Sequence, residues 1–207
     1  NREEDYHTTF DYIFRYDPDY FWAAKSLGLE NPILRNLDGK ERMRSDNYYK
    51  FFKLEYKYQP FKKLFALFGK DYELFIQDAE VPSKQAAEFL EWFHKEITDK
   101  RPLTIGPVMA YSKTAKWTMF PMNPKTMYMN IGYYATVPTN KKDGHYNRLF
   151  EKKLLAMGCK KMMYSRCLYT KKEFWSIFDK KSYDALKKKY DPQKRLKNLY
   201  EKCVKRA

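Results

Sequence analysis

The sequence predicts an α+β fold: an antiparallel sheet built on a ferredoxin-like split βαβ unit, with the helices on one face. Three observations carry this expectation. Between residues 71 and 168 the hydrophobic periodicity runs strand, helix, strand, strand, helix, strand. Hydrophobic residues make up 43% of the 207, a globular composition with enough chain for a sizeable core. Turn and cap signals fall at the junctions between these segments.

Residues 1–70 read as a connector with irregular and helical pieces. Asp11–Tyr16 is an aromatic run of extended appearance, broken at Asp17-Pro18. Phe21–Lys25 suits a short helix, and Asn31-Pro32 and Asp38-Gly39 mark turns. Phe61, Leu64, Phe65 and Phe68 stand at helical spacing within Tyr56–Phe68.

The first strand is predicted over Tyr72–Glu80, and Pro82-Ser83 opens a helix with Ser83 as its cap. Ala86, Phe89, Leu90, Phe93 and Ile97 form one helical face. A second strand is expected over Leu103–Tyr111 and, after a proline-containing loop, a third over Met127–Val137. Asp143 is placed to cap the second helix, whose face is Tyr146, Leu149, Phe150, Leu154 and Met157, with Gly158 as its C-terminal glycine. Lys161–Leu168 reads as the fourth strand. Thr170 and Ser182 are candidate caps of two further helices, Tyr190-Asp191-Pro192 stops the second of these, and Leu196–Val204 is a last helical stretch.

Strand parity then sorts the side chains. Met127, Met129, Ile131 and Tyr133 should lie under the helices, joined by Leu74 and Ile76 of the first strand. The opposite, open face should collect Gln77, Tyr128, Asn130, Tyr134, Tyr164 and Arg166. A polar and aromatic face of this kind suits a lid over a ligand.

Other signals exclude more than they assign. There is no GxGxxG or GxxxxGK[ST] loop, no GxSxG and no HExxH, and the three His stand apart. Cys159, Cys167 and Cys203 form no CxxC, and an odd count suits free thiols in a reducing, intracellular compartment, cytoplasmic or at a membrane surface. No apolar run reaches the length of a membrane span. The net charge of +15 would attract nucleic acid, an anionic membrane surface or an acidic partner domain, with lysines clustered over Lys187–Lys197. A basic single-stranded nucleic-acid-binding module of ferredoxin-like fold is the alternative reading, although the RNA-recognition consensus is missing.

Several stretches carry a more specific likeness. They are Ile13-Phe14-Arg15 with Phe21-Trp22 and Asn31–Arg35; Gln77–Pro82; Tyr128–Gly132; and Tyr164–Cys167 with Glu173-Phe174-Trp175, Tyr190-Asp191-Pro192 and Leu199–Lys202. In this order the chain resembles the C-terminal part of FAD-linked oxidoreductases of the vanillyl-alcohol oxidase superfamily, and within it the Δ24-sterol reductase group. The resemblance implies a substrate-side cap that covers the flavin ring. Most of the FAD would be held by an N-terminal FAD-binding domain of the same protein, to which residues 169–207 would return. It implies hydride transfer between flavin N5 and a small-molecule substrate, a sterol or another hydrophobic alkene or alcohol. On this likeness Arg166, Tyr128 and Tyr134 are the candidate catalytic residues and Gln77, Asn130 and Tyr164 the substrate-binding ones. Arg166, Tyr190 and Asp191 are the candidates for contact with the cofactor. Many sterol-type relatives carry an acidic residue where this chain has Arg166, and a cation there would stabilise negative charge on reduced flavin. Without the FAD-binding domain the chain is expected to be inactive, to hold FAD weakly and to pair with a second copy. No metal site is expected.

Overall fold

The computed structural model describes residues 4, 6–14, 29, 31–39, 42, 45–69, 71–97, 103–112, 114 and 118–205. They fall into two compact units, 1–71 and 72–207.

The described elements of the first unit are helices: α1 (Thr9–Phe14), α2 (Pro32–Asp38), α3 (Ser45–Tyr58) and α4 (Pro60–Leu67). The run expected to be extended from Asp11 is helical as far as Phe14, because local i to i−4 bonding (Tyr12 N to Thr8 O, 2.9 Å) outweighs the β propensity of its aromatics. Asn31-Pro32 opens a helix: the Asn31 side-chain oxygen Oδ1 accepts from the amides of Ile33 and Leu34, and Pro32 takes the first turn, where no amide is needed. The short helix expected over Phe21–Lys25 lies outside the described residues.

The second unit holds the sheet. Its elements are β1 (Tyr72–Pro82), a 3₁₀ turn (Ser83–Gln85), α5 (Ala86–Glu96), β2 (Thr104–Val108), β3 (Tyr128–Pro138), α6 (His145–Ala156) and β4 (Lys160–Lys161). After them come α7 (Lys171–Ile177), α8 (Lys180–Tyr190) and a wide turn over Glu201–Lys205. The strand order is β2-β3-β1-β4, with every pairing antiparallel. The α+β class predicted from periodicity is the observed one, and both helices cover one face. The Phe75 ring on β1 meets Phe93 of α5 at 6.2 Å and Phe150 of α6 at 5.4 Å, within a core shared with Phe89, Ile97, Ile131, Val137 and Leu154.

Strand parity is correct on β3 and inverted on β1. The register sets Phe75 opposite Ala135, Gln77 opposite Tyr133 and Ala79 opposite Ile131. The helix side of β1 is therefore Glu73, Phe75, Gln77, Ala79 and Val81, while Leu74 is exposed. Two polar residues in that set obscure the alternation. They are tolerated because α6 and β4 bring polar partners to them: Asn147 donates Nδ2 to Glu73 Oε1 (2.6 Å), and Lys161 donates to Gln77 Oε1 (3.0 Å).

Helix starts also differ from expectation. A 3₁₀ turn without a side-chain cap precedes α5, so Ser83 does not cap it. At α6 the N-cap is Gly144, in a left-handed conformation (φ 84°). Asp143 is engaged by Arg166, and the first free amides, Tyr146 and Asn147, donate to the buried Glu73 carboxylate instead (3.0 and 2.8 Å). Asp179 rather than Ser182 caps α8. Thr170 does cap α7: its hydroxyl accepts from the Glu173 amide (3.2 Å), while Glu173 accepts from the Thr170 amide (2.7 Å). Arg148 also pairs with Glu173, and that bond, with the helix-start amide, holds the carboxyl down at about 2. We expect Thr170→Ala to cost about 1 kcal/mol of unfolding free energy in a urea titration. An unchanged urea midpoint would contradict that role.

Candidate functional site

A polar seam inside the core positions the segment that follows β4. Lys161 and Glu151 are both fully buried and pair at 2.9 Å. The three Lys161 donor directions are all used, by Glu151, by Gln77 Oε1 and by the Arg166 carbonyl (2.5 Å). Gln77 Nε2 also donates to that carbonyl (2.9 Å) and to Asn147 Oδ1 (2.5 Å), and Ser165 Oγ donates to Gln77 Oε1 (3.0 Å). The Leu168 amide donates to Glu151 Oε1 (2.8 Å). Arg166 and Leu168, expected within a fourth strand running to Leu168, thus have backbone groups held by side chains rather than by a ladder, and β4 ends at Lys161.

Gln77 belongs to this seam, so the expectation that it lies on the open face is corrected: it is fully buried on the helix side, with its amide saturated. Arg166 is corrected too. Its guanidinium forms a two-pronged pair with Asp143 (2.9 and 2.7 Å) beside Gly144, at the start of α6. Asp143 and Gly144 also border a depression of about 340 Å³ lined by Lys142, His145, Arg148 and Lys152.

On the second sheet face the structure does bring Asn130, Tyr134 and Tyr164 together, around two residues that the parity error hid, Asp78 and Glu80. Tyr134 Oη donates to the Asp78 carboxylate, lying 2.7 and 2.8 Å from its two oxygens. Tyr164 Oη donates to Tyr134 Oη at 3.3 Å. Asn130 Nδ2 donates to Glu80 Oε1 at 2.8 Å. Asp78 and Glu80 are 4% and 2% exposed, while Tyr164 is 55% exposed. Gly132, directly opposite Asp78, makes the arrangement fit: a Cβ there would stand 2.5 Å from Asp78 Oδ1 and 2.9 Å from the Tyr134 ring.

Electrostatics follow from the burial. Burial pushes the Asp78 carboxyl above its ordinary range, and the Tyr134 hydroxyl pulls it partly back. Burial raises Glu80 as well, against the Asn130 bond and with the Asp78 charge. Tyr134 is pushed up to about 12 by burial, by its bond to Asp78 and by that residue's charge, so it stays a phenol at neutral pH.

The remaining candidates stand elsewhere. Tyr128 is buried, and its hydroxyl accepts from the Asn123 amide (3.0 Å), pinning the loop before β3. Tyr190 is exposed at the end of α8. Asp191 pairs with Lys187 and accepts from the amides of Arg195 and Leu196 (2.8 and 3.1 Å), closing the turn after α8. Lys187, one of the lysines considered for a membrane surface, also donates to the Leu196 carbonyl (2.7 Å). Among the described residues no helix is long and apolar enough to cross a membrane, and no group of three or more His, Cys, Asp or Glu is placed to hold a metal ion.

No family model matches the chain, and no curated protein and no solved structure matches it at a significant level.

Proposed function

We propose that this chain is the substrate-side cap of an FAD-dependent oxidoreductase, and that its second sheet face handles the proton that accompanies hydride transfer. The supporting observation is the hydrogen-bonded chain from the half-exposed Tyr164 phenol through Tyr134 to the buried Asp78 carboxylate. The family reading rests on the ordered sequence likeness, which implies a polar sheet face over flavin and substrate.

The residues fit one end of the cofactor. The phenols and the Asn130–Glu80 pair suit a ring and a substrate hydroxyl or alkene, where orientation and proton transfer are needed. They do not fit its phosphates: the sequence has no glycine-rich phosphate loop, and Asp191 is spent on its own turn. An FAD-binding domain is the partner that would hold that end. Bound flavin supplies the two-electron acceptor or donor at its ring. Tyr164 would meet the substrate, a sterol or another hydrophobic alkene or alcohol. Both phenols donate inward, so a proton taken from a substrate hydroxyl at Tyr164 passes to Tyr134 and ends on Asp78. A reduction would need Asp78 to be protonated first and both phenols to turn so that they donate toward the substrate. Tyr134 relays without ionising, because its proton is held too firmly for a free phenolate.

The test is to purify the protein from its native reading frame and record its visible spectrum, then to follow flavin bleaching by a panel of sterol and aliphatic alcohols. A bound flavin is expected, with bleaching slowed about 10²-fold in Tyr134→Phe, the scale of one proton-transfer step. A colourless preparation would overturn the oxidoreductase reading. A flavoprotein indifferent to Tyr134→Phe would overturn the relay.

A further inference from the structure

Asp78 and Glu80 stand two residues apart on β1 and so share a sheet face. Both are almost sealed from water. Each neighbouring element supplies little to balance them. From β3, Asn130 gives one amide hydrogen bond to Glu80 Oε1, and Tyr134 gives its hydroxyl to Asp78. From β4, Lys160 is in register opposite Glu80, yet no ion pair joins them. Among the described residues Glu80 Oε2 meets no hydrogen-bond partner.

An ionised carboxylate in a dry site needs donors on both oxygens, and two ionised carboxylates side by side repel. Each carboxylate has one side-chain donor, but the two are placed differently. Asp78 has a hydroxyl shared between its two oxygens, whereas Glu80 has one amide on one oxygen. We propose that Glu80 is held as the neutral acid beside an ionised Asp78, so that this face carries one proton and one negative charge at neutral pH. Burial raises both groups; the Tyr134 phenol offsets it at Asp78 and the Asn130 amide at Glu80, and at Glu80 the Asp78 charge adds to the rise. Glu80 is then a positioning residue: it keeps a second charge off the face so that Asp78 remains the acceptor. That purpose, though not the protonation itself, rests on the relay reading above.

The sign of the pH dependence is fixed. A carboxyl raised in the fold from its ordinary 4.5 binds more protons folded than unfolded. The wild type therefore loses stability as pH rises through that window, and Glu80→Gln, a neutral isostere, loses less.

The experiment is infrared difference spectroscopy of the full chain at neutral pH. The wild type should show a protonated-carboxyl C=O band that is lost in Glu80→Gln and kept in Lys160→Met. In Asp78→Asn, with the like charge removed, the band should titrate away at lower pH than in the wild type. Absence of the band from the wild type would overturn the proposal, whatever the variants do. So would its persistence in Glu80→Gln, or its appearance only when Lys160 is removed, which would mean a Lys160–Glu80 ion pair in solution. The band does not depend on flavin, so a colourless protein that shows it would sink the oxidoreductase reading and leave the proton pair standing.

Discussion

Lys161→Met is expected to lower the unfolding free energy of the sheet unit by about 3–5 kcal/mol, the cost of leaving a buried charge without its partner. Glu151 would remain fully buried, with the Leu168 amide and Arg148 (3.5 Å) as its remaining partners. Gln77 Oε1 and the Arg166 carbonyl would each lose a donor in the same substitution. Domain stabilities are about 5–15 kcal/mol, so this loss is a large share of the total. Lys161→Met combined with Glu151→Leu should recover part of it, because the isolated charge is gone, but not all, because the Gln77 and Arg166 oxygens stay short of donors. Urea titration followed by circular dichroism reads both. A single variant that unfolds at the wild-type midpoint would show that the seam contributes little. Because Lys161 also holds the backbone at Arg166, two residues from Tyr164, the variant should loosen the attachment of Tyr164 as well.

Phe93→Ala is expected to cost a similar amount, about 3–5 kcal/mol, by a different mechanism. Phe93 is buried at the point where α5 meets the sheet, with its ring 5.2 Å from Tyr133, 6.2 Å from Phe75, 6.3 Å from Phe89 and 6.4 Å from Phe150. These neighbours come from β1, β3, α5 and α6, so a cavity there cannot close by moving one element alone. Tilted and edge-on ring pairs add to the area term, and several are lost together. The comparison is Tyr111→Ala, a fully exposed aromatic, which should change stability by no more than about 0.5 kcal/mol. If the two substitutions shift the urea midpoint equally, the aromatic cluster is not the core of this unit.

The two substitutions mark the boundary of what could be read in advance. Phe93 was legible: Phe89, Phe93 and Ile97 repeat at helical spacing, and that face is the buried one. Lys161 was not. A lysine in an aromatic and basic stretch reads as surface, and nothing local announces that Glu151, Gln77 and the Arg166 carbonyl converge on it. The candidate site divides in the same way. β3 alternates cleanly, so its pattern alone puts Asn130 and Tyr134 on the right face. On β1 the buried set includes Glu73 and Gln77 and the other includes Leu74 and Ile76, so hydrophobicity pointed the wrong way. That pattern puts Gln77 on the site face and conceals Asp78 and Glu80, although the small apolar Ala79 and Val81 at the same parity as Phe75 point the other way.

What the sequence determined by itself is what depends on near neighbours: the α+β class, the order of strands and helices, the amphipathic face of α5, the Thr170 cap and the left-handed glycine at 158 after α6. These follow from side-chain period and backbone freedom over a few residues. Tertiary structure alone decided the register of β1, the early end of β4, the pairing of Arg166 with Asp143 and the meeting of Tyr164, Tyr134 and Asp78. Each of these is a choice among partners far apart in the chain. It is settled by which buried polar groups find a complement, and that is a property of the packed whole rather than of any segment.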